Sequence, residues 1–410
     1  MEFKTTATVT IVSEDLIKQY LTVRKLSSEI VSSLQAEDFV PQPIPDVSPP
    51  KWHLAHTTWF FETFILSSFD ESGETGKKKR YEPFHPQYAF LFNSYYEAAG
   101  PRILRTQRGN MTRPTTENIF AYRAYVDEAM VALLSQNDSS ELHELVTLGL
   151  HHEQQHQELL ITDIKYILGH NPLFPAFRSK PALGKVRSVR TIHQWIPMAE
   201  GIYEIGFDGD GFCFDNELGK HRVFLEAYTI RDQVVTNQEY LAFMQAGGYN
   251  SVEYWLSEGW AFAKTVDQQA PLHWHQKENG EWYNYTAAGL QPLLLDAPVT
   301  HISYYEADAF ARWAGYRLPT EFEWEAAQEK LDWGKVWEWT SSAYAAYPGF
   351  KTAEGALGEY NGKWMVNQQT LRGSSVATSP GHSRPTYRNF FHADKRWQFT
   401  GIRLCKSVFK

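Results

Sequence analysis

The sequence predicts a four-helix bundle followed by an irregular α+β domain. Two observations carry that prediction. Between residues 13 and 172, apolar residues recur at three- and four-residue steps in four separate runs. From about residue 190 to 410 that period disappears, and Gly, Trp, Tyr and short β-prone stretches replace it. A chain of 410 residues, 43% of them hydrophobic, is long and apolar enough for two such domains, 13–172 and 190–410.

The first run, SEDLIKQYLTVRKLSSEIVSSL, follows Ser13 as a candidate N-cap and places Leu16, Tyr20, Val23, Leu26 and Ile30 at helical spacing. The second, KWHLAHTTWFFETFILSSF, follows Pro49 and Pro50, which suit a helix entry. DESGETGKKKRYEPFHPQ reads as a solvated loop. The third helix, TTENIFAYRAYVDEAMVALL, has Thr115 or Thr116 as its cap. The fourth, ELHELVTLGLHHEQQHQELLITDIKYILG, is closed by Gly169. Four helices of this length pack as a bundle. In the second domain, TNQEYLAFMQAGG and SYYEADAFARWAG read as short helices among loops and strands.

Composition removes several function classes. A net charge of -9 and a pI near 5.9 argue against nucleic-acid binding, which calls for a basic face. Aromatic residues make up 15% of the chain, with 14 Trp, many of them beyond residue 250. Such side chains hold loop-rich folds together and line ligand pockets. The two cysteines, Cys213 and Cys405, form neither a C-x-x-C pair nor a disulfide framework. No apolar run reaches transmembrane length and no signal peptide is visible, so the expected location is the cytoplasm, away from membranes.

The chemistry concentrates in HHEQQH, which contains H-E-x-x-H at His152, Glu153 and His156. On the fourth helix, residues 145, 149, 152, 156, 159, 163 and 167 share one face, so the two histidines are expected to point into the bundle. Imidazoles one turn apart can converge on one ion. The second helix offers His53 and His56 as further ligands, also one turn apart. Histidine ligation without cysteine suits Zn, Fe, Cu or Ni. The zinc-peptidase reading fails on its remaining ligands. Leu159 and Thr162 stand where the longer motif needs Gly and a third His, and no Glu occurs between Glu158 and Glu200.

WHLAHTTWFFE together with HHEQQH resembles the DinB-like bundle of the ergothioneine-type sulfoxide synthases. IYEIGFDGDGFCFDNELGKHRVFLEAYTI, RLPTEFEWEAA, VWEWTSSAY, LRGSS and RNFFHADKRWQFTGIRL resemble their second domain, which shares the fold of formylglycine-generating enzyme and C-type lectins. The resemblance runs from about residue 13 to 405. It implies a mononuclear non-haem Fe(II) held by His56, His152 and His156, with His53 behind the ligands or merely packed. It also implies an O2-dependent reaction that joins cysteine to the imidazole of Nα-trimethylhistidine and leaves a sulfoxide. Glu153 then belongs on the helix surface or behind the ligands, and Gln155 matches a position that contacts the substrate imidazole. Tyr95 and Tyr96 match a tyrosine pair of the cysteine-using branch, where a phenol can supply a proton or hydrogen atom.

PRILRTQRGNMTRP offers Arg102 and Arg105, with Arg108 and Arg113 further along, for substrate carboxylates. Asn389, Phe390 and Phe391 suit a trimethylammonium group, and Arg396 the cysteine carboxylate, so that the second domain completes the pocket. Formylglycine generation is excluded by RGSSVATSPGHSR, which lacks the cysteine that chemistry needs. The ovothiol-type relative, which uses unmethylated histidine, usually carries a methyltransferase after this domain; none is expected after FTGIRLCKSVFK, which favours trimethylhistidine and leaves histidine as the alternative. Two further readings stay open at the level of sequence: γ-glutamylcysteine as the thiol donor, and a lectin-like binder without catalysis.

Overall fold

The computed structural model describes residues 5–69, 81–177, 193–266, 269–352 and 361–408. The chain divides into two compact units, Met1–His170 and Asn171–Lys410. The first part of the predicted charged loop, residues 70–80, lies outside the described residues. No helix among the described residues is long and apolar enough to cross a membrane.

The first unit is built on α1 (Thr5–Val31), α2 (Pro50–Phe61), the short α3 (Tyr88–Phe92), α4 (Thr116–Gln136) and α5 (Ser140–Gly169). α1 packs on α4 and α5, and α2 packs on the same pair, which closes a four-helix bundle. α1 begins at Thr5, eight residues before the expected cap at Ser13. No Pro or Gly interrupts TTATVTIV, so nothing stops the helix from continuing toward the N-terminus. Pro50 occupies the first turn of α2, where its missing N–H costs nothing. α2 runs directly into a single π-type turn, Glu62–Leu66. Thr115 caps α4 by accepting from the Asn118 N–H, and Ser139 caps α5 through Leu142.

The exposure of α5 departs from the predicted single face. Leu145, Leu159 and Ile167 are only partly buried, whereas Val146, Glu153, Gln157, Leu160 and Ile164 are buried. The cause is that α5 has two neighbours, α1 and α2, and presents a separate stripe to each.

The second unit is an irregular α+β domain, as the loss of helical period predicts. Its elements are β1 (Trp195–Met198), β2 (Gly201–Ile205), β3 (His221–Leu225), β4 (Tyr228–Arg231), α6 (Asn237–Gln245), α7 (Ser257–Ala263), β5 (Trp274–Gln276), β6 (Trp282–Thr286) and β7 (Gly289–Pro292). They continue as α8 (Tyr304–Trp313), α9 (Glu321–Ala327), β8 (Trp337–Ala343), β9 (Gln369–Arg372), β10 (Asn389–Phe391), β11 (Thr400–Gly401) and β12 (Cys405–Ser407). The strands form four small sheets, the largest in the order β10-β9-β8-β11. Only β11 and β8 pair in parallel among the described strands. Strands this short bury little area, and large side chains compensate. Trp324, Trp337 and Trp339 are fully buried, and Glu338 accepts from the Trp324 indole at 2.6 Å and pairs with buried Arg403.

Candidate metal centre

Every residue of α2 is buried, and its His56 side faces the His152–His156 side of α5. Close approach of the two helices depends on Gly149. A Cβ there would stand 2.6 Å from the Phe61 ring and 3.1 Å from Phe60, so only glycine fits this helix crossing. One nitrogen each from His56, His152 and His156 lie within 4.8 Å of one another. His56 Nε2 and His152 Nε2 are 3.2 Å apart. His56 donates its Nδ1–H to the Phe92 carbonyl at 2.6 Å, which leaves the Nε2 lone pair directed at the cluster. Helix spacing also places Trp52 one turn before His56 and Trp59 one turn after it. Both indoles stack on the imidazole, at centroid distances of 4.6 and 5.6 Å.

These surroundings keep the ligand set neutral. Burial pushes the His56 imidazole well below its usual pKa, and the adjacent His152 adds to the shift. Burial lowers His152 to about 4. His156 is also pushed well down, by burial first and then by the other histidines. Three uncharged imidazoles converging in a dry site, with no thiolate among them, are a donor set that fits a divalent first-row metal. His152 Nδ1 is buried without a hydrogen-bond partner, so apart from the approach of Nε2 to His56 this ring is oriented by packing on Phe60 at 4.6 Å.

Glu153 is neither on the helix surface nor aimed at the ligands. It is fully buried and turned toward α1 and α4, where it meets Arg24 at 2.8 Å, Arg123 at 3.0 Å and the Ser27 hydroxyl at 2.6 Å. Burial alone would raise its pKa, but Arg24 and Arg123 outweigh that and hold it near 2. A carboxylate locked into two ion pairs cannot act on a metal-bound water, which removes the peptidase role independently of the missing ligands.

Beside the cluster, the Tyr96 ring lies 5.7 Å from Trp59 and 5.2 Å from Phe64, and it is 2% exposed. Tyr95 stacks on it, and its hydroxyl donates to the Tyr96 hydroxyl at 3.3 Å. Burial separates the arginines of PRILRTQRGNMTRP. Arg102 is paired with Glu97, and Arg105 donates to the Asp46 carbonyl on the surface. Arg108 is buried. Its guanidinium lies 3.4 Å over the Trp52 ring and donates to the Ser48 and Ser94 hydroxyls, and its Nε has no partner. Burial, then the nearby Arg105, push its pKa well down, the mark of a cation short of negative charge. The three arginines stand at three-residue steps in sequence, so spacing alone could not single out Arg108.

Gln155 is partly buried and lies about 60° around α5 from His152, on the side away from Glu153. In the second unit, Asn389, Phe390 and Phe391 form β10. Asn389 Oδ1 accepts from the Phe390 N–H, Phe390 stacks on Tyr344 at 4.1 Å, and Phe391 meets Trp397 edge-on at 5.3 Å. Arg396 donates to Glu306 at 3.0 Å and to the Ala270 carbonyl, so its charge is already balanced within its own unit.

The sulfatase-modifying factor enzyme 1-like domain model matches residues 181–330 and 332–408, and the DinB superfamily model matches residues 19–160. Hercynine oxygenase of Mycolicibacterium thermoresistibile is 26% identical over 445 aligned positions, covering 96% of this chain and 95% of that protein. The chain belongs to the ergothioneine-type sulfoxide synthase family. A second member, hercynine oxygenase of Mycobacterium tuberculosis, is 28% identical and covers 89% of this chain and 92% of its own length. Formylglycine-generating enzyme of Streptomyces coelicolor is 30% identical over only 40% of this chain and 53% of that enzyme. A sulfoxide synthase and that enzyme thus share one domain, and the thiols here are unsuited to the second chemistry. Both cysteines are free, and burial pushes Cys213 up to about 11 and Cys405 up to about 12.

Proposed function

We propose that this chain is an iron(II)- and O2-dependent sulfoxide synthase that joins the sulfur of free cysteine to the imidazole carbon between the two ring nitrogens of Nα-trimethylhistidine. The overall reaction balances as thiol plus imidazole C–H plus O2, giving the C–S-bonded sulfoxide and one water. The observation that carries the reading is the converged, neutral set of His56, His152 and His156. Iron(II) held there supplies the activation of O2 and a common anchor for thiolate and imidazole.

The remaining groups bind, orient and protonate. Arg108, buried and lacking a carboxylate partner, receives the carboxylate of an amino-acid substrate, and Arg102 and Arg105 add positive potential along the same segment. Gln155 orients the substrate imidazole from the flank of the histidine stripe. The Tyr95–Tyr96 pair holds a proton for the reacting oxygen, and it supports free cysteine over γ-glutamylcysteine as the thiol. Arg396, occupied by Glu306, is given no carboxylate in this scheme.

Anaerobic loading with Fe(II), followed by O2, either thiol, and either trimethylhistidine or histidine, tests the reading by mass spectrometry. The expected product is the sulfoxide from cysteine and trimethylhistidine. Product only with histidine or only with γ-glutamylcysteine would replace the substrate assignment, and no coupled product from any pair would overturn the reaction. In the same assay, Tyr95→Phe or Tyr96→Phe is expected to divert turnover toward oxidation of the thiol alone. An unchanged product ratio in both variants would remove the tyrosines from the scheme.

A further inference from the structure

His53 lies one turn before His56 and is 3% exposed. Both of its nitrogens are engaged. Nδ1 meets His156 Nδ1 at 2.9 Å, and Nε2 meets Asp163 Oδ2 at 2.9 Å. Asp163 is 2% exposed, and the same oxygen accepts the Ser48 backbone N–H at 2.8 Å. The Ser48 hydroxyl in turn accepts from Arg108 at 3.0 Å. The contacts form one buried file: Arg108, Ser48, Asp163, His53, His156.

The hydrogen-bonding inventory fixes the protons along this file. A carboxylate only accepts, so His53 carries its hydrogen on Nε2 and gives it to Asp163. In the His53 tautomer that carries its one ring hydrogen there, Nδ1 has a bare lone pair. The facing Nδ1 of His156 must therefore be the N–H donor. That leaves the lone pair of His156 on Nε2, the form a metal needs from this ring.

We propose that His53 and Asp163 are positioning residues that fix His156 in its Nδ1–H tautomer and its orientation, and so set the metal affinity of the centre. The arrangement is a carboxylate–histidine support of the kind that backs metal-ligating imidazoles, extended by one further histidine. The three ligands are thus held by different devices. His56 is held by the Phe92 carbonyl, His152 by aromatic packing, and His156 by a buried carboxylate acting through His53. His156 is the ligand whose tautomer is controlled by charge, and Ser48 connects that control to the buried arginine.

The inference rests on the metal-centre reading, and its test separates the two. The metal-free protein, labelled with 15N-histidine, reports the tautomers directly. Wild type is expected to show His156 as the Nδ1–H form. Asp163→Asn, which retains shape but loses the charge, is expected to yield a mixture. Affinity is read by anaerobic Fe(II) titration, with Co(II) absorption as a second probe. Asp163→Asn and His53→Leu are each expected to weaken binding by about 10–100-fold. His53→Gln restores an acceptor facing His156 and a donor facing Asp163, and it is expected to recover most of that loss. A packing role alone would show neither the tautomer shift nor the rescue. Failure of wild type to bind either metal would overturn the centre itself. Wild-type tautomer and affinity in both Asp163→Asn and His53→Leu would overturn the support while leaving the centre intact.

Discussion

α5 turns two stripes inward, and they solve opposite electrostatic problems with adjacent residues. Toward α2 it presents Gly149, His152 and His156, neutral groups whose lone pairs converge. Toward α1 it presents Glu153 and Gln157, one ionised and both satisfied by Arg24, Arg123, Ser27 and the Val23 carbonyl. Burial acts on both stripes and gives opposite outcomes. The Glu153 charge favours a His152 cation, but no carboxylate or carbonyl hydrogen-bonds to the ring, so desolvation wins and it stays neutral. Glu153 has two guanidinium groups, so attraction wins and it stays charged. The H-E-x-x-H string therefore carries two functions about a hundred degrees apart on one helix: ligands on one side and a clamp on the other.

The sharpest break of this comparison is a pair of neighbouring substitutions. His152→Ala should abolish metal binding, a loss greater than the roughly 100-fold limit for disturbing a supporting residue, while the denaturation midpoint of the metal-free chain moves little. Glu153→Gln should do the reverse. It leaves Arg123 buried without a carboxylate, and removal of one partner from such a pair costs about 3–5 kcal/mol. Urea denaturation of the metal-free variants, alongside Fe(II) titration, reads both. Equal stability losses in the two variants would mean that the stripes are not separate.

The bundle was legible because its helices are long and periodic, and because Pro50, Thr115 and Gly169 mark their ends. The histidine cluster was legible as His pairs one turn apart, with the family resemblance choosing His56 over His53. The second stripe was not. Glu153 and Gln157 look like a solvent face in sequence, and only partners distant along the chain offset the cost of burying them: Arg24 and Arg123 for Glu153, the Val23 carbonyl and Ser27 for Gln157. The arginine run was illegible for a related reason. Arg102, Arg105 and Arg108 have the same chemistry and even spacing, and only the tertiary fold buries the last of them against Trp52.

Gly149→Ala tests the geometry of the ligand stripe. The added methyl favours the helix by up to about 1 kcal/mol, yet it must displace Phe61 or separate α2 from α5. Overpacking of this kind costs about 1–3 kcal/mol. Because the ligands are divided between these two helices, the same separation should weaken metal binding several-fold. Destabilisation with unchanged affinity would show that the Phe61 side of the crossing yields without moving His56.

The smallest effect is expected at Gln157, next to His156 in sequence but on the clamp stripe. Its Nε2 donates to the Val23 carbonyl at 2.8 Å and to Ser27 Oγ at 3.0 Å. Gln157→Met preserves the length of the side chain and removes those bonds. Neither named partner is thereby stranded: Ser27 still donates to Glu153, and the Val23 carbonyl remains within α1. The cost should stay near the ordinary value of a hydrogen bond, about 0.5–1.5 kcal/mol, and Fe(II) affinity should match wild type. A variant that instead lost metal affinity would show that the clamp strains or positions the ligand helix, and that the two stripes act as one device.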